Sequence, residues 1–371
     1  MGRQFHDVPD GNPTTQTTSK PVIKYLRLDK FTAFNKARLE FSPGLNVIIG
    51  ENGLGKTHLL KVAYSILAIL SRGERESQSP TPTKEYLEGA LGKKLQSVFM
   101  PDELGHLVER NYKQSSVSLS FEHSIHDIGF EFSSASRSKT KVTNLPDDWI
   151  YKSPVYLPTR ELMSIHSGFV SLYDNVHTPF DETWRDTCLL LEAPLAKGAR
   201  EAQIRHMLHP LEKLMGGQIT IGPTGFYLES DRGLLEMNLV GEGLRKLAMI
   251  ARLIASATLT EGSCLFWDEP ESNLNPRLIK QIANTLFKLS QQGVQIFIAT
   301  HSLFLLRELH ILQLQDKRNN AKSRYFGLTR SESNSSVTID QASSIEEIGH
   351  ITSLDEDLSQ SGRFMDETSA Y

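Results

Sequence analysis

The sequence predicts an α/β fold with a parallel-sheet core, an antiparallel β subdomain and a helical lobe. Two observations carry this prediction. Residues 45–49 are a short apolar strand that ends at a glycine-rich turn and precedes an apolar, helix-compatible run over 58–70. Two more apolar strands, 264–267 and 294–299, flank a helix-compatible run over 276–290, and strands that alternate with helices form parallel sheets.

Composition narrows the class of protein. The chain has 371 residues, 39% hydrophobic and 23% charged, which is ordinary for a globular protein and enough for one large domain or two lobes. A net charge of −4 gives no overall basic character, although a local basic patch for nucleic acid stays open. Cys188 and Cys264 form no metal or disulfide framework, which favours a reducing cytoplasm. The longest apolar stretch contains Lys61 and is too short to span a membrane.

The order of these signals divides the chain into five parts. They are a polar, disordered tail without a secretion signal (1–20), a first lobe (21–72), an inserted β and helical subdomain (73–235), a second lobe (236–343) and an acidic, Ser-rich tail that is mobile or serves in docking (344–371). Within the insert, residues 72–84 predict an exposed link and residues 117–142 a short antiparallel meander. No heptad pattern is sustained, so no coiled-coil arm is expected.

The glycine-rich turn fits G-x-x-x-x-G-K-[ST], a loop that cradles phosphates. Its glycines admit the dihedrals that turn backbone N–H groups toward a polyphosphate, and the following helix N-terminus adds donors and partial positive charge. Lys56 is expected to reach the β/γ-phosphates of ATP, and the Thr57 hydroxyl to bind Mg²⁺. The predicted nucleotide contacts are Gly50, Glu51, Asn52, Gly53, Leu54, Gly55, Lys56, Thr57 and His58.

Two adjacent carboxylates end the apolar strand 264–267. Asp268 is placed to bind Mg²⁺ through water, and Glu269 to act as general base on a water behind the γ-phosphate. A solvated acidic turn is the alternative, less favoured after a wholly apolar strand. His301 follows the next strand and is placed to donate a hydrogen bond to the γ-phosphate, with a structural histidine as the alternative.

Two more polar segments are weaker signals. Gly241, Glu242 and Gly243 open a long helix, where glycines at a helix N-terminus indicate an anion contact or simply a glycine-rich helix start. The polar loop 271–275, closed by Pro276 at a helix start, is either a contact with a second subunit or a plain turn.

The segments GENGLGKT, VGEGLRKL, FWDEPESNLNP and IATHS, in this order, resemble the ABC-type ATPase heads of the RecF, SMC and OLD group. More narrowly, they resemble the compact ATP-binding proteins of bacterial anti-phage systems, such as the ATPase subunit of Septu. The resemblance covers most of residues 21–309. It implies an ABC-ATPase head that forms a homodimer or higher homo-oligomer, with each ATP between the Walker A loop of one subunit and the signature segment of the other.

The resemblance also implies residue roles. Residues 50–57 become Walker A, Asp268 and Glu269 Walker B, residues 273–275 the D-loop and His301 the switch histidine. The implied catalytic residues are therefore Lys56, Glu269 and His301. Arg160 and Glu161 follow the strand 155–157 at roughly the Q-loop position, where Arg160 would contact nucleotide and Glu161 the metal, although no glutamine stands there.

The chain departs from the family at the signature. Gly241 stands where a serine that binds the γ-phosphate is usual, and Glu242 where a glycine is usual. Loss of that charge-assisted hydrogen bond costs about 1.5–3 kcal/mol. Too little chain follows His301 for the TOPRIM nuclease domain of OLD proteins, so any nucleic-acid cutting would come from a partner.

The leading hypothesis is a regulatory ATPase whose ATP-driven dimer controls an effector, a nuclease or toxin, in anti-phage defence. The alternative is a RecF-like DNA-binding or DNA-repair ATPase, which needs a basic surface. Two clusters are candidates, each alternatively a solvated loop: Arg137, Lys139 and Lys141, or Lys317, Arg318, Lys322 and Arg324. Phe34 and Tyr25 are candidates for stacking on adenine or for the core. The signature disfavours a transporter subunit.

Overall fold

The structure, a computed structural model, describes residues 20–196, 201–222, 224–316, 322–330, 336–349 and 351–369. The predicted tail 1–20, apart from Lys20, and the candidate basic residues Lys317 and Arg318 lie outside the described residues. The strands are β1 Ile23–Phe31, β2 Phe34–Glu40, β3 Leu45–Gly50, β4 Gln114–Phe121, β5 Ile128–Ser133, β6 Lys141–Asn144, β7 Val155–Leu157, β8 Gln218–Gly222, β9 Gly225–Ser230, β10 Gly233–Glu236, β11 Cys264–Asp268, β12 Gln295–Thr300, β13 Ser323–Arg330 and β14 Val337–Ala342. The helices are α1 Lys56–Ser77, α2 Lys84–Phe99, α3 His166–Asn175, α4 Glu182–Leu191, α5 Glu201–Met215, α6 Glu242–Ala255, α7 Pro276–Gln291, α8 Leu303–Gln315 and α9 Thr352–Ser369.

A six-stranded sheet with the order β14-β13-β3-β12-β11-β7 forms the centre of the molecule. Its strands are parallel except β14, which pairs antiparallel with β13. Strands β11 and β12 are buried at every position, as expected for parallel strands covered on both faces. Both neighbours of β3, which leads into the glycine-rich turn, come from the last third of the chain. The predicted α/β fold with a parallel-sheet core is confirmed.

Two hydrophobic cores lie on opposite faces of this sheet. Side chains alternate along β3, so Ile48 joins one core while Val47 and Ile49 join the other. The first core contains the buried faces of α1 and of the antiparallel strands β1, β2, β4, β5 and β6, and the second contains the buried faces of α6, α7 and α8. The sheet is therefore sandwiched, and the carboxyl ends of its parallel strands are left at one edge for the site.

The predicted insert 73–235 is divided among three sheets. Strands β4, β5 and β6 form the predicted meander, but they continue a five-stranded antiparallel sheet with the order β2-β1-β4-β5-β6. Strand β7 is an edge of the central sheet, and only β8, β9 and β10 form a separate sheet. These pairings lie between residues far apart in sequence, which local patterns do not specify.

The exposed link expected at residues 72–84 is helical over its first part. Helix α1 continues to Ser77, and α2 begins at Lys84. The helix continues because its polar end still has a buried contact: Gly73 lies against Trp149, and a Cβ there would be 2.0 Å from the indole ring. The sequence did not predict this helical extension because Trp149 is remote in sequence and leaves no signal in the polar run.

A buried glutamine joins the two larger sheets. The Gln295 side chain in β12 accepts a hydrogen bond from the Ile23 N–H at 2.8 Å and donates to the Ile23 carbonyl at 2.7 Å. It also donates to the Ser42 carbonyl at 2.9 Å. The amide side chain thus satisfies the backbone N–H and carbonyl of Ile23 in β1, as buried polar groups require.

The segment after residue 343, expected to be a mobile or docking tail, contains helix α9. Ile351 precedes this helix and is buried in the second core, while Asp357 pairs with Arg307 of α8 at 3.0 Å. Ile351 and Glu356 also border a cavity of about 250 Å³ beside the glycine-rich loop and His301. Across the described ranges, every helix is too short or too polar to cross a membrane.

Candidate nucleotide-binding site

The glycine-rich loop joins β3 to α1 and has the backbone that the motif predicts. Gly53 and Gly55 have φ values of 82° and 88°, in the left-handed region that favours glycine. A Cβ at Gly55 would also lie 2.9 Å from the Phe34 ring, so any side chain there is excluded twice. The loop therefore packs against the turn between β1 and β2 and ends at the N-terminus of α1.

Lys56 curls back over this loop. Its Nζ donates hydrogen bonds to the carbonyls of Gly50 and Glu51 at 2.7 and 2.8 Å. Burial lowers the pKa of the Lys56 ammonium, while nearby carboxylates, Glu269 first among them, act in the opposite direction. The cation is thus held at the centre of the loop by acceptors that an anionic phosphate oxygen can replace.

The loop and the predicted acidic pair meet at one hydrogen bond. The Thr57 hydroxyl donates to Asp268 Oδ2 at 2.8 Å, across 211 residues of sequence. Burial raises the pKa of Asp268 to about 6, the Thr57 bond lowers it, and Glu269 raises it further. A hydroxyl and a carboxylate are hard oxygen ligands suited to Mg²⁺, which takes one or two protein ligands together with phosphates and water. No group of three or more His, Cys, Asp or Glu able to hold a metal occurs in the described ranges.

Glu269 and His301 lie beside this pair. His301 Nδ1 is 3.1 Å from Glu269 Oε1, and the Ser272 hydroxyl donates to Glu269 Oε2 at 3.1 Å. Glu269 has a φ of 46°, unusual for a residue with a side chain and typical of strained functional turns. The carboxylate is therefore held at both oxygens at the end of two adjacent parallel strands.

Three further residues of this edge escaped sequence reasoning. The Thr300 hydroxyl donates to Glu271 Oε1 at 2.5 Å, and Glu271 is buried. Lys246 Nζ donates to the Ser272 carbonyl at 2.7 Å, and burial lowers the pKa of this lysine to about 8. Glu271 belongs to the quoted FWDEPESNLNP segment and Lys246 to the quoted VGEGLRKL segment, but a lysine inside an amphipathic helix carries no signal of its own.

The segment 241–243 makes its side-chain contacts with the loop after β11 and not with the phosphate loop. Asn273 Nδ2 donates to Glu242 Oε1 at 3.0 Å, and a Cβ at Gly243 would lie 2.6 Å from Leu278. Gly241 is exposed at the N-cap of α6, and a Cβ there would have no atom within 4 Å. Gly243 is required by packing, whereas Gly241 opens toward solvent.

The predicted metal ligand Glu161 is engaged elsewhere. Its carboxylate accepts hydrogen bonds from Arg245 Nε at 2.7 Å and from the Ser164 hydroxyl at 2.6 Å, and the Ser164 N–H donates to its second oxygen. Arg160 is exposed. Within the described residues, no hydrogen bond joins either one to Thr57 or Asp268, so their nucleotide and metal roles stay predictions without support from these contacts.

Other candidates are packing residues. Phe34 is fully buried under Gly55, and Tyr25 is partly exposed on the outer sheet face, with its hydroxyl 3.3 Å from Glu40. The His58 ring lies 5.4 Å from that of Phe99, and burial lowers the pKa of this histidine to about 4. Neither Phe34 nor His58 presents a free ring to a nucleotide.

The first predicted basic cluster is partly neutralised. Lys141 pairs with Glu131 at 2.8 Å, and Arg137 lies 3.9 Å from Glu103. The more open basic feature is on β1 and β2, where Arg27 and Arg38 face each other in register. Among the described residues neither arginine has an ion pair, and Arg38 stacks 5.2 Å from the Tyr25 ring.

Comparison with solved structures identifies the fold. The head domain of an Smc protein bound to the C-terminal winged-helix domain of ScpA superposes with a TM-score of 0.53 at 12% identity, over 88% of this chain and 99% of that chain. An Smc head with an extended coiled coil, bound to the C-terminal domain of ScpA derived from Pyrococcus furiosus, gives 0.50 at 12% identity, over 94% and 100%. The chain therefore has the fold of an SMC head, which is an ABC-ATPase-like fold.

The family follows from sequence. The profile described as "AAA domain, putative AbiEii toxin, Type IV TA system" matches residues 45–307, and the chain belongs to this family. The DNA replication and repair protein RecF of Symbiobacterium thermophilum is 35% identical over 71 residues, which are 19% of this chain and 18% of that protein. RecF of Streptococcus pneumoniae is 29% identical over 103 residues, 26% and 28% of the two chains. The chain thus spans less than a third of these relatives.

Proposed function

We propose that this protein binds ATP with Mg²⁺ and hydrolyses it at the edge formed by β3, β11 and β12. The observation that carries the proposal is the hydrogen bond between Thr57 and Asp268, with Glu269 and His301 in contact beside it. Lys56 and the backbone N–H groups at the start of α1 would hold the phosphates. Thr57 and Asp268 would hold Mg²⁺, which offsets phosphate charge when bound.

In this proposal Glu269 is the general base. As the oxygen of water bonds to the γ-phosphorus, the bond from phosphorus to the ADP oxygen breaks, and the water proton passes to the Glu269 carboxylate. Ser272 and His301 orient that carboxylate through its two oxygens. A water-positioning carboxylate held at both oxygens loses little freedom as the reaction proceeds, which favours hydrolysis.

We further propose that two copies close around ATP. The exposed N-terminus of α6, with Gly241 open to solvent, supports this, because its N–H groups have space for a phosphate that another subunit presents. Closure would bury Gly241 and complete the partner's site. Opening after hydrolysis would make the dimer a switch.

The proposed output of this switch is control of an effector protein, a nuclease or toxin, in anti-phage defence in the cytoplasm. The family description, which names a toxin and a toxin–antitoxin system, supports an effector setting. In this proposal the effector chemistry belongs to a partner protein.

A second candidate is a RecF-like ATPase that binds DNA. The matched segments of RecF favour it, and so do Arg27 and Arg38, since like charges directly opposite on paired strands are unfavourable unless an anion lies between them. Such binding would weaken steeply with salt.

The test uses a tagged Glu269→Gln variant purified from its native cells with ATP and Mg²⁺. Loss of the base is expected to lower turnover about 10²–10⁴-fold, keep ATP affinity and accumulate a dimer, measured by light scattering. Lys56→Ala is the control that should lose nucleotide and dimer together. Undiminished turnover of Glu269→Gln would contradict its role.

What co-purifies separates the two functions. A stoichiometric protein with nuclease or toxin activity supports the regulated effector. Nucleic acid without a protein partner, released by salt and lost in an Arg27→Ala/Arg38→Ala variant, moves the assignment to DNA binding.

A further inference from the structure

Lys246 is a buried cation at the start of α6. It is fully buried, and its Nζ donates to the Ser272 carbonyl at 2.7 Å. In the described residues it has no salt bridge within 4.0 Å, and burial lowers its pKa to about 8. The carboxylates that face it at longer range are Glu242, Glu271, Glu269 and Glu161. An ammonium buried in this way is costly unless its hydrogen bonds serve the structure around it.

The loop that accepts this bond carries the general base. Ser272 donates its hydroxyl to Glu269 Oε2 and its N–H to the Glu269 carbonyl, each at 3.1 Å. Glu269 and Asn273 both have left-handed φ values, 46° and 61°, although neither is glycine. Such conformations persist only where surrounding contacts determine them, so this loop depends on its tethers.

The tethers come from two sides. Thr300 and His301, at the end of β12, bind Glu271 and Glu269. From the opposite side α6 contributes Lys246 to Ser272 and Glu242 to Asn273. Of the two contacts from α6, the one from Glu242 is exposed, whereas the one from Lys246 is partly buried and reaches the residue that bonds to Glu269.

We propose that Lys246 is a positioning residue for Glu269, acting through the Ser272 carbonyl. It keeps the Ser272 hydroxyl on Glu269 Oε2 and so fixes the direction in which the carboxylate accepts the water proton. Lys246 exchanges no proton and touches no nucleotide. The inference rests on the proposed hydrolysis. It assigns a role to a residue of the VGEGLRKL segment that had none.

The test compares Lys246→Met with Lys246→Arg and with Lys280→Met, an exposed lysine of α7. Misplacement of the base by Lys246→Met is expected to lower kcat about 10- to 100-fold with less than about threefold change in ATP affinity. Arginine, which can still donate to the carbonyl, is expected to restore part of kcat. Lys280→Met should match wild type.

Ser272→Ala is a second variant, for the case in which Lys246→Met does not fold. Ser272 is partly exposed and the substitution removes only its hydroxyl, so this variant is expected to fold. It should lower kcat like Lys246→Met while leaving the melting temperature near that of wild type. If Ser272→Ala hydrolyses ATP normally, or if kcat of a folded Lys246→Met is unchanged, the positioning role is wrong.

Amide hydrogen exchange of residues 269–275 supplies a readout independent of activity. In nucleotide-free protein, the amides of this loop should exchange faster in Lys246→Met than in wild type. In Lys280→Met they should exchange at the wild-type rate. If wild type fails to hydrolyse ATP, the proposed function falls, while faster exchange still supports the tether. Equal exchange in all variants overturns it.

Discussion

Two buried aspartates, Asp186 and Asp268, have pKa values shifted in opposite directions. Asp186 is 1% exposed and Asp268 9%. Burial alone would raise the pKa of Asp186, but Lys94 at 2.5 Å and Arg72 at 2.8 Å outweigh it and lower the value to about 2. At Asp268 burial prevails and raises the pKa to about 6, because the Thr57 hydroxyl and distant lysines compensate less.

The difference separates an acid whose charge is neutralised by neighbouring cations from one whose charge is not. Asp186 joins α1, α2 and α4 by contacts with Arg72, Lys94 and the Tyr64 hydroxyl, so its charge is neutralised inside the fold. Asp268 is left short of positive charge at the end of β11, where a cation from solution can supply it. Both aspartates are buried, but neighbouring cations compensate the charge of Asp186 far more than that of Asp268.

The largest expected effect is on stability, from Asp186→Asn. Removing this charge breaks the ion pairs with Arg72 and Lys94 and leaves Lys94 with Glu182 at 3.3 Å. Breaking a buried ion pair costs about 3–5 kcal/mol. The free energy of unfolding should fall by that amount in urea titrations at pH 7. Asp174→Asn is the matched control, since its pair with Arg185 is exposed and worth at most about 1 kcal/mol.

Comparison of wild type with Asp186→Asn at several pH values tests whether the charge of Asp186 causes this loss of stability. The pKa of Asp186 is depressed from 3.8 to about 2, so its contribution is present above 3.8 and lost as pH falls through 2. The stability gap between wild type and Asp186→Asn should therefore be full at pH 7 and smaller at pH 3. A constant gap would show that packing, not charge, causes the loss.

Asp268→Asn should act in the opposite direction on stability. The shift from 3.8 to about 6 corresponds to about 3 kcal/mol at ~1.4 kcal/mol per unit. That cost is fully present above pH 6, and the variant removes it, so nucleotide-free protein should be more stable than wild type at pH 8 by up to that amount. Mg²⁺-dependent ATP turnover should be lost. Reduced stability together with retained turnover would make Asp268 a structural acid like Asp186.

The smallest effect concerns the signature segment. Gly241→Ser adds a hydroxyl at an exposed helix N-cap with space around it, and a charge-assisted hydrogen bond to phosphate of about 1.5 kcal/mol would raise turnover about tenfold. Steady-state hydrolysis measures this. Gly243→Ser is the contrasting variant, expected to lose stability against Leu278. Equal turnover of wild type and Gly241→Ser would place this position away from the phosphates.

The sequence was most informative where function and local geometry coincide. The order strand, glycine-rich loop and helix predicts the path from β3 to α1, since each part is specified by neighbouring residues. The apolar strand before Asp268 and Glu269 likewise predicts their place at the carboxyl edge of the sheet. Their meeting with Thr57 and His301 follows from parallel strands that end together.

The remaining features depend on contacts between distant residues. No local pattern shows that Trp149 covers Gly73 and prolongs α1, or that Glu161 is bound by Arg245. The polar segment that forms α9 has few apolar residues, and its attachment depends on Ile351 and Arg307. Lys246 and Lys280 are both lysines on helices, and only tertiary structure distinguishes the buried one.

The placement of β3 between β12 and β13 also governs how the molecule can be made. Asn46 in β3 donates to the Ile296 carbonyl, 250 residues later. At about 5–20 residues per second, a ribosome needs roughly 10–50 s to supply that partner. During this interval an apolar strand has neither neighbour, and high contact order slows its closure afterwards. The edge formed by β3, β11 and β12 is thus assembled late in synthesis.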